Sequence, residues 1–167
     1  MGILNAQVSL KVSGNFEQAV DVGSVKYPVN ISATKNLSNG TGLNQANQVF
    51  TDIRALSAGA NENLDLAGGL FDVFGNAITF TKIKSILITA AAGNTNSVNV
   101  SRPATNGLPL FIAAGDGIAL DPDAAFSAVF PSAAGIAVTA GSGDLLNIAN
   151  SSGGTSVTYT VVIIGTV

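Results

Sequence analysis

The segment TSVTYTVVIIG, residues 155–165, alternates polar and apolar side chains with a period of two. That period belongs to an extended strand, whose successive side chains point to opposite faces. Val157, Tyr159, Val161 and Ile163 share one face, and Ser156, Thr158 and Thr160 share the other. Val162 and Ile164 then turn the second face apolar. Such a strand starts half-buried and ends in need of two covers, whereas a sandwich interior supplies one. The second cover is a loop of the same chain or another subunit.

Similar alternation recurs along the chain. In VSLKV, Val8, Leu10 and Val12 share a face; in VKYPVNI, Val25, Tyr27, Val29 and Ile31 do. Pro28 lacks the N–H that a ladder needs, so this strand is expected at a sheet edge. FEQAVDVGS, between them, reads as extended or irregular. NLSNGTGLNQANQ, residues 36–48, is expected to be a long loop, because Asn and Gly suit turns and positive φ. VFTDIRAL and ENLDLAG read as strands, and FDVFGNAITF turns at Gly75-Asn76 before the next one. In AITFTKIKSILITA the alternation slips between Phe80 and Ile83, which predicts a β-bulge or bend near Lys82. Ile86, Leu87 and Ile88 are apolar on both faces, marking an interior strand. VNV, IAL, AFSAVF and GIAV are further short strands, separated by the loop-rich residues 101–117 and by turns. DLLNIAN and TSVTYTVVIIG are expected to pair as a hairpin around Ser151-Ser152-Gly153-Gly154.

About eight or more strands with turn signals between them, and no persuasive helix, predict an all-β antiparallel sandwich. A jelly-roll-like single domain over residues 25–167 is expected, preceded by an N-terminal strand or arm over residues 1–24.

Of the 167 residues, 47% are hydrophobic and only 10% are charged, against roughly 25% charged in ordinary soluble domains. A surface so poor in charge gives little repulsion between molecules, so part of it is expected to lie against other subunits. That tips the second cover of the last strand toward a subunit interface. The net charge of −3 is not clustered, and without grouped Lys and Arg no nucleic-acid partner is expected. No apolar stretch approaches the ~18 residues of a membrane span, so no membrane partner is expected either. MGILNAQVSLKV has neither the charged n-region nor the long apolar h-region of a signal peptide. Its start matches an N-myristoylation signal at Gly2 but carries Ala6 where Ser or Thr is preferred.

Chemistry-bearing residues are few. The chain has no His, Cys or Trp, which excludes Ser-His and Cys-His catalysis, disulfides and thiolate metal sites. A Ser-Lys or paired-carboxylate site remains conceivable, but SLK and TKIKS place Ser and Lys as strand neighbours without making a nucleophile–base pair. Asp116, Asp121 and Asp123 lie close in GDGIALDPDAA. Their spacing departs from the EF-hand pattern; turn-forming and solvating roles are expected, and whether they bind an ion stays open. The Gly-rich SGG, AGG and GSG lack the Lys-Ser/Thr of a phosphate loop. Sequons at Asn30, Asn36, Asn39, Asn99 and Asn150 carry little weight in a chain this rich in Asn, Ser and Thr. No catalytic, cofactor-binding or metal-ligating residue is assigned, no cofactor is expected, and the chain is not read as an enzyme.

Four stretches carry a resemblance: LSNGTGLNQANQVFTDIRAL, ENLDLAGGLFDVFGNAITFTKIKSILI, AAAGNTNSVNV and VTAGSGDLLNIANSSGGTSVTYTVVIIGT. In this order they resemble a family of small tailed-bacteriophage proteins encoded among virion genes, usually of unassigned role. VSLKVSGNFEQAVDVGS is a looser match, and DPDAA at 121–125 departs from a Pro-Gly-Gly turn common in the family. The resemblance implies a virion structural protein made in the host cytoplasm and built into the particle, with no catalytic residues to carry over. The expected role is a capsid-surface decoration or cement protein, or a head-fibre subunit, that binds the major capsid protein and self-associates, with a homotrimer favoured. A tail-fibre or receptor-binding module is the alternative, although the chain has no shaft repeats or heptads. A polysaccharide-degrading enzyme is the third reading. Attachment is expected through the N-terminal segment, Val8, Leu10 and Val12 adding a strand to a neighbour's sheet edge, unless residues 8–12 are the first strand of this subunit's own sandwich.

Overall fold

A computed structural model describes residues 4–167; Gly2 lies outside them. The strands, in chain order, are β1 (Ala6–Ala19), β2 (Ser24–Asn39), β3 (Gln45–Ala46), β4 (Gln48–Leu56), β5 (Asn61–Asp65), β6 (Leu70–Phe71), β7 (Ala77–Ile78), β8 (Lys82–Ala90), β9 (Val98–Ser101), β10 (Gly117–Leu120), β11 (Ala125–Val129), β12 (Ile136–Ala137), β13 (Leu145–Asn150) and β14 (Val157–Thr166). The described residues contain no helix.

Two antiparallel four-strand arrays build the body. One runs β4-β14-β8-β11, with β12 added at the end of β8; the other runs β5-β13-β9-β10. Numbering these eight principal strands one to eight along the chain gives orders 1-8-3-6 and 2-7-4-5. That is the double Greek key of a jelly roll, as the strand pattern predicts. Each alternating strand turns its apolar side inward: Val157, Tyr159, Val161 and Ile163 of β14 are all fully buried, as are Ile86 and Ile88 of β8.

Two expectations need correction. β13 and β14 are not a hairpin, because they lie in opposite sheets. Each already has a neighbour on both sides, so neither has a free ladder for the other. The connection between them is tied instead by the buried Asn150, whose Nδ2 donates to Ser57 O (3.0 Å) and Thr155 O (2.8 Å). The bulge expected near Lys82 is present in β8, at Lys84. Ile164 faces Ser85 while Gly165 faces Ile83, leaving Lys84 as the extra residue. Backbones close up there, since a Cβ on Gly165 would stand 2.3 Å from Lys82 O. The loop expected over residues 36–48 is shorter, because β2 runs to Asn39 and β3 and β4 resume at Gln45 and Gln48.

Residues Ala6–Asn39 stand apart from the sandwich. β1 and β2 pair antiparallel in unbroken register from Ala6↔Leu37 to Ala19↔Ser24. The division expected at residue 24 falls at the tip of this ribbon, so the arm consists of both strands. Val8, Leu10 and Val12 belong to it and not to the sandwich.

Candidate interaction surface

Residues directly opposite in an antiparallel pair share a face, so the register assigns every side chain of the ribbon. One face carries Leu10/Ala33, Val12/Ile31, Gly14/Val29, Phe16/Tyr27 and Gln18/Val25; the other carries Ser9/Thr34, Lys11/Ser32, Ser13/Asn30, Asn15/Pro28 and Glu17/Lys26. Alternation in each strand thus makes one side of a ribbon 14 residues long almost wholly apolar. Nothing among the described residues covers it: Val12 is 67% exposed, Ile31 70%, Phe16 72% and Tyr27 68%. At the tip, Val22 is 94% exposed. The charged pair Glu17–Lys26 (2.9 Å) sits on the polar face.

The root is fixed to the body. Leu37 is buried, and β2 meets β3 through Ser38↔Gln45 and Asn39↔Ala46. The intervening turn is held by Ser38 N donating to Asn44 O (3.0 Å) and Asn44 N donating to Pro131 O (2.8 Å). Lys84, displaced by the bulge, is buried with no acid partner; its Nζ donates to Gly42 O (3.1 Å), Ser132 O and Ala133 O (3.4 Å). Burial, with the like charge of Lys82 as a lesser cause, lowers its pKa. One ammonium therefore pins the turn below the arm to the loop before β12.

Between root and body lies a cleft of ≈950 Å³. Its arm wall includes Val8 and Leu10, and its body wall includes Leu87, Phe126, Val162 and Ile164. Val162 and Ile164, the residues that left β14 in need of a second cover, line this cleft. A second exposed apolar cluster, Phe71, Val73 and Phe74, flanks the β6–β7 turn, which Asp72 closes by accepting from Phe74 N (2.9 Å) and Asn76 N (2.8 Å).

The acids are otherwise engaged. Asp116 Oδ2 accepts from Ala113 N (2.8 Å), Asp121 Oδ1 accepts from Ser97 Oγ (2.7 Å), and Asp123 occupies a turn at φ 69°. Among the described residues no three acidic side chains gather as a metal-binding group. Asp52 and Glu62 are both bound by Arg54, with Nε donating to Asp52 (2.9 Å) and Nη1 to Glu62. Tyr159 donates to the other oxygen of Glu62 (2.8 Å). Asn150 is buried, so its sequon offers no surface for a glycan. What the described residues present most plainly is the exposed apolar face of the ribbon.

Sequence reasoning grouped the correct apolar residues in each ribbon strand but did not pair the two strands with each other. The signal was present: two alternating segments meet around DVGS. It also missed Lys84, whose only trace was the slipped alternation. No family model matches the chain, and neither the curated proteins nor the solved structures searched contain a match.

Proposed function

We propose that this chain is a structural protein of a bacteriophage particle, a capsid-surface decoration or cement subunit or a head-fibre component that binds the major capsid shell. The observation that carries the reading is the projecting ribbon, hydrogen-bonded to the body at its root and apolar along one face. Such a device serves assembly, because an exposed apolar strip gains free energy when a partner covers it. The charge-poor surface supports the same reading, and jelly rolls recur in capsid domains. The outer edge of β1 has no partner strand among the described residues, so strand addition to a neighbour's sheet stays available to the arm. Against a sugar-cleaving role, Arg54 engages both Asp52 and Glu62, and Tyr159 engages Glu62 as well.

Electron microscopy of the intact particle tests the proposal. Copies of a jelly-roll-sized density on the capsid surface, touching the shell, are expected. Density confined to the tail favours the receptor-binding alternative. A particle that lacks the protein overturns both.

A further inference from the structure

We propose that the apolar face of the ribbon is covered by the ribbon of a second copy of this chain. The two arms run antiparallel, and the tip of each lodges in the root cleft of the other. This contact is independent of the virion reading, since it concerns two copies of the chain in solution.

Length is the first reason. Fourteen paired residues extend about 45 Å, and an isolated two-stranded ribbon is marginally stable in water. The whole strip needs a cover of equal length. The ribbon itself has that length, while the longest strand of the body is the ten-residue β14.

Charge is the second. From Leu10/Ala33 to Gln18/Val25 the apolar face carries no ionisable group other than the Tyr27 phenol. Two such faces bring together no charge that would need a partner. Lys35, opposite Val8, lies on this face at the root, and Asp21 lies in the turn at the tip. Antiparallel arms bring each Lys35 toward the end that carries the partner's Asp21. Parallel arms would set Lys35 against Lys35.

Area is the third. A strip of that length and about 10 Å across, two strands ~4.8 Å apart, offers roughly 450 Å² in projection. A stable pair buries about 800 Å² per partner, so the arm face alone falls short. The cleft makes up the difference. Its body wall, with Leu87, Val162 and Ile164, lies outside the arm face, and its ≈950 Å³ accommodates the apolar tip, Phe16, Tyr27 and Val22. Each copy supplies one tip and one cleft, so the contact is isologous and closes at two.

The test uses purified full-length protein and sedimentation equilibrium at tens of micromolar. The wild type is expected at twice 16.7 kDa; a monomer or a trimer overturns the proposal. Val12→Asp/Ile31→Asp should run as a monomer. Ser13→Asp, on the polar face, and Phe74→Ser, at the other exposed apolar cluster, should both stay paired. A paired Val12→Asp/Ile31→Asp protein overturns the proposal. Should that variant fail to fold, Phe16→Ser, a change at an exposed site, must weaken association at least about tenfold, and unchanged association overturns it. Because the chain has no cysteine, Val22→Cys/Leu87→Cys should form a covalent dimer on mild oxidation. Efficient dimerisation by Val22→Cys alone would put the two tips together and overturn the antiparallel seat.

Discussion

Val161 and Thr158 lie on the same strand and point opposite ways. Val161 is fully buried between the sheets, whereas Thr158 is half-buried on the outer side. Val161→Asp places a carboxylate where no partner exists and is expected to cost on the order of 4–5 kcal/mol, much of the stability of a domain this size. Thr158→Asp should cost less than about 1 kcal/mol. Urea melts of the two variants check this, and equal midpoints would show the register of β14 to be wrong. Tyr159 supplies a pH prediction. Burial, and secondly its hydrogen bond to Glu62, raise the phenol well above its ordinary 10.0. The folded chain then holds this proton more tightly than the unfolded chain, so the contribution is complete below pH 10.0 and declines as pH rises beyond it. Tyr159→Phe should lose about 1.5–3 kcal/mol at neutral pH. That deficit should shrink as pH is raised to about 11, because the variant lacks the alkaline loss. Stability curves of both proteins against pH decide the matter, and a deficit that stays constant would count against the raised pKa.

Among the elements, the ribbon and β8 are coupled. The extra residue in β8 turns Lys84 out of the strand's alternation and onto Gly42 O of the turn beneath the arm and the carbonyls of Ser132 and Ala133. A local irregularity thus ties the turn below the largest projection to the body. The ribbon's own ladder is regular, but both faces are wet when the chain is single, and few buried contacts hold it together. Local opening costs little in such a segment. In Val12→Asp/Ile31→Asp, amides of residues 10–18 and 25–33 should therefore exchange with solvent at least about 100-fold faster than those of β8 and β14. In the wild type, pairing should slow the ribbon amides by at least about tenfold relative to the variant. Hydrogen exchange read peptide by peptide checks both expectations. Ribbon protection that is equal in the two proteins would mean that the apolar face is uncovered in both.

For the whole molecule, stability and association are linked. A partner that binds only the folded chain raises its apparent stability by mass action. The wild-type melting temperature should accordingly rise with protein concentration, by several degrees between about 1 and 100 μM. The Val12→Asp/Ile31→Asp protein should melt at one temperature throughout, since its jelly roll keeps its own core. A wild-type melting temperature independent of concentration would argue against self-association at any surface. The low overall charge fits the same picture, because a face destined for a partner has no need of ions.

Period-two alternation sufficed to predict an all-β sandwich, the inward set on β14 and the shared faces of Val8–Leu10–Val12 and Val25–Tyr27–Val29–Ile31. Those properties follow from local geometry, in which neighbouring side chains point to opposite sides whatever the strand pairs with. Which strand pairs with which does not follow, because a ladder is made of main-chain groups that every residue carries alike. DLLNIAN and TSVTYTVVIIG therefore read as a hairpin, although β13 and β14 face each other across the core. For the same reason, β1 could be assigned to the sandwich or to a neighbour's edge, and only tertiary structure pairs it with β2 as a projecting arm. The bulge was legible within two residues from the slip in alternation. Its consequence, a buried lysine ammonium bound to carbonyls from two distant loops, depends on contacts far apart in the chain, and no local pattern encodes them.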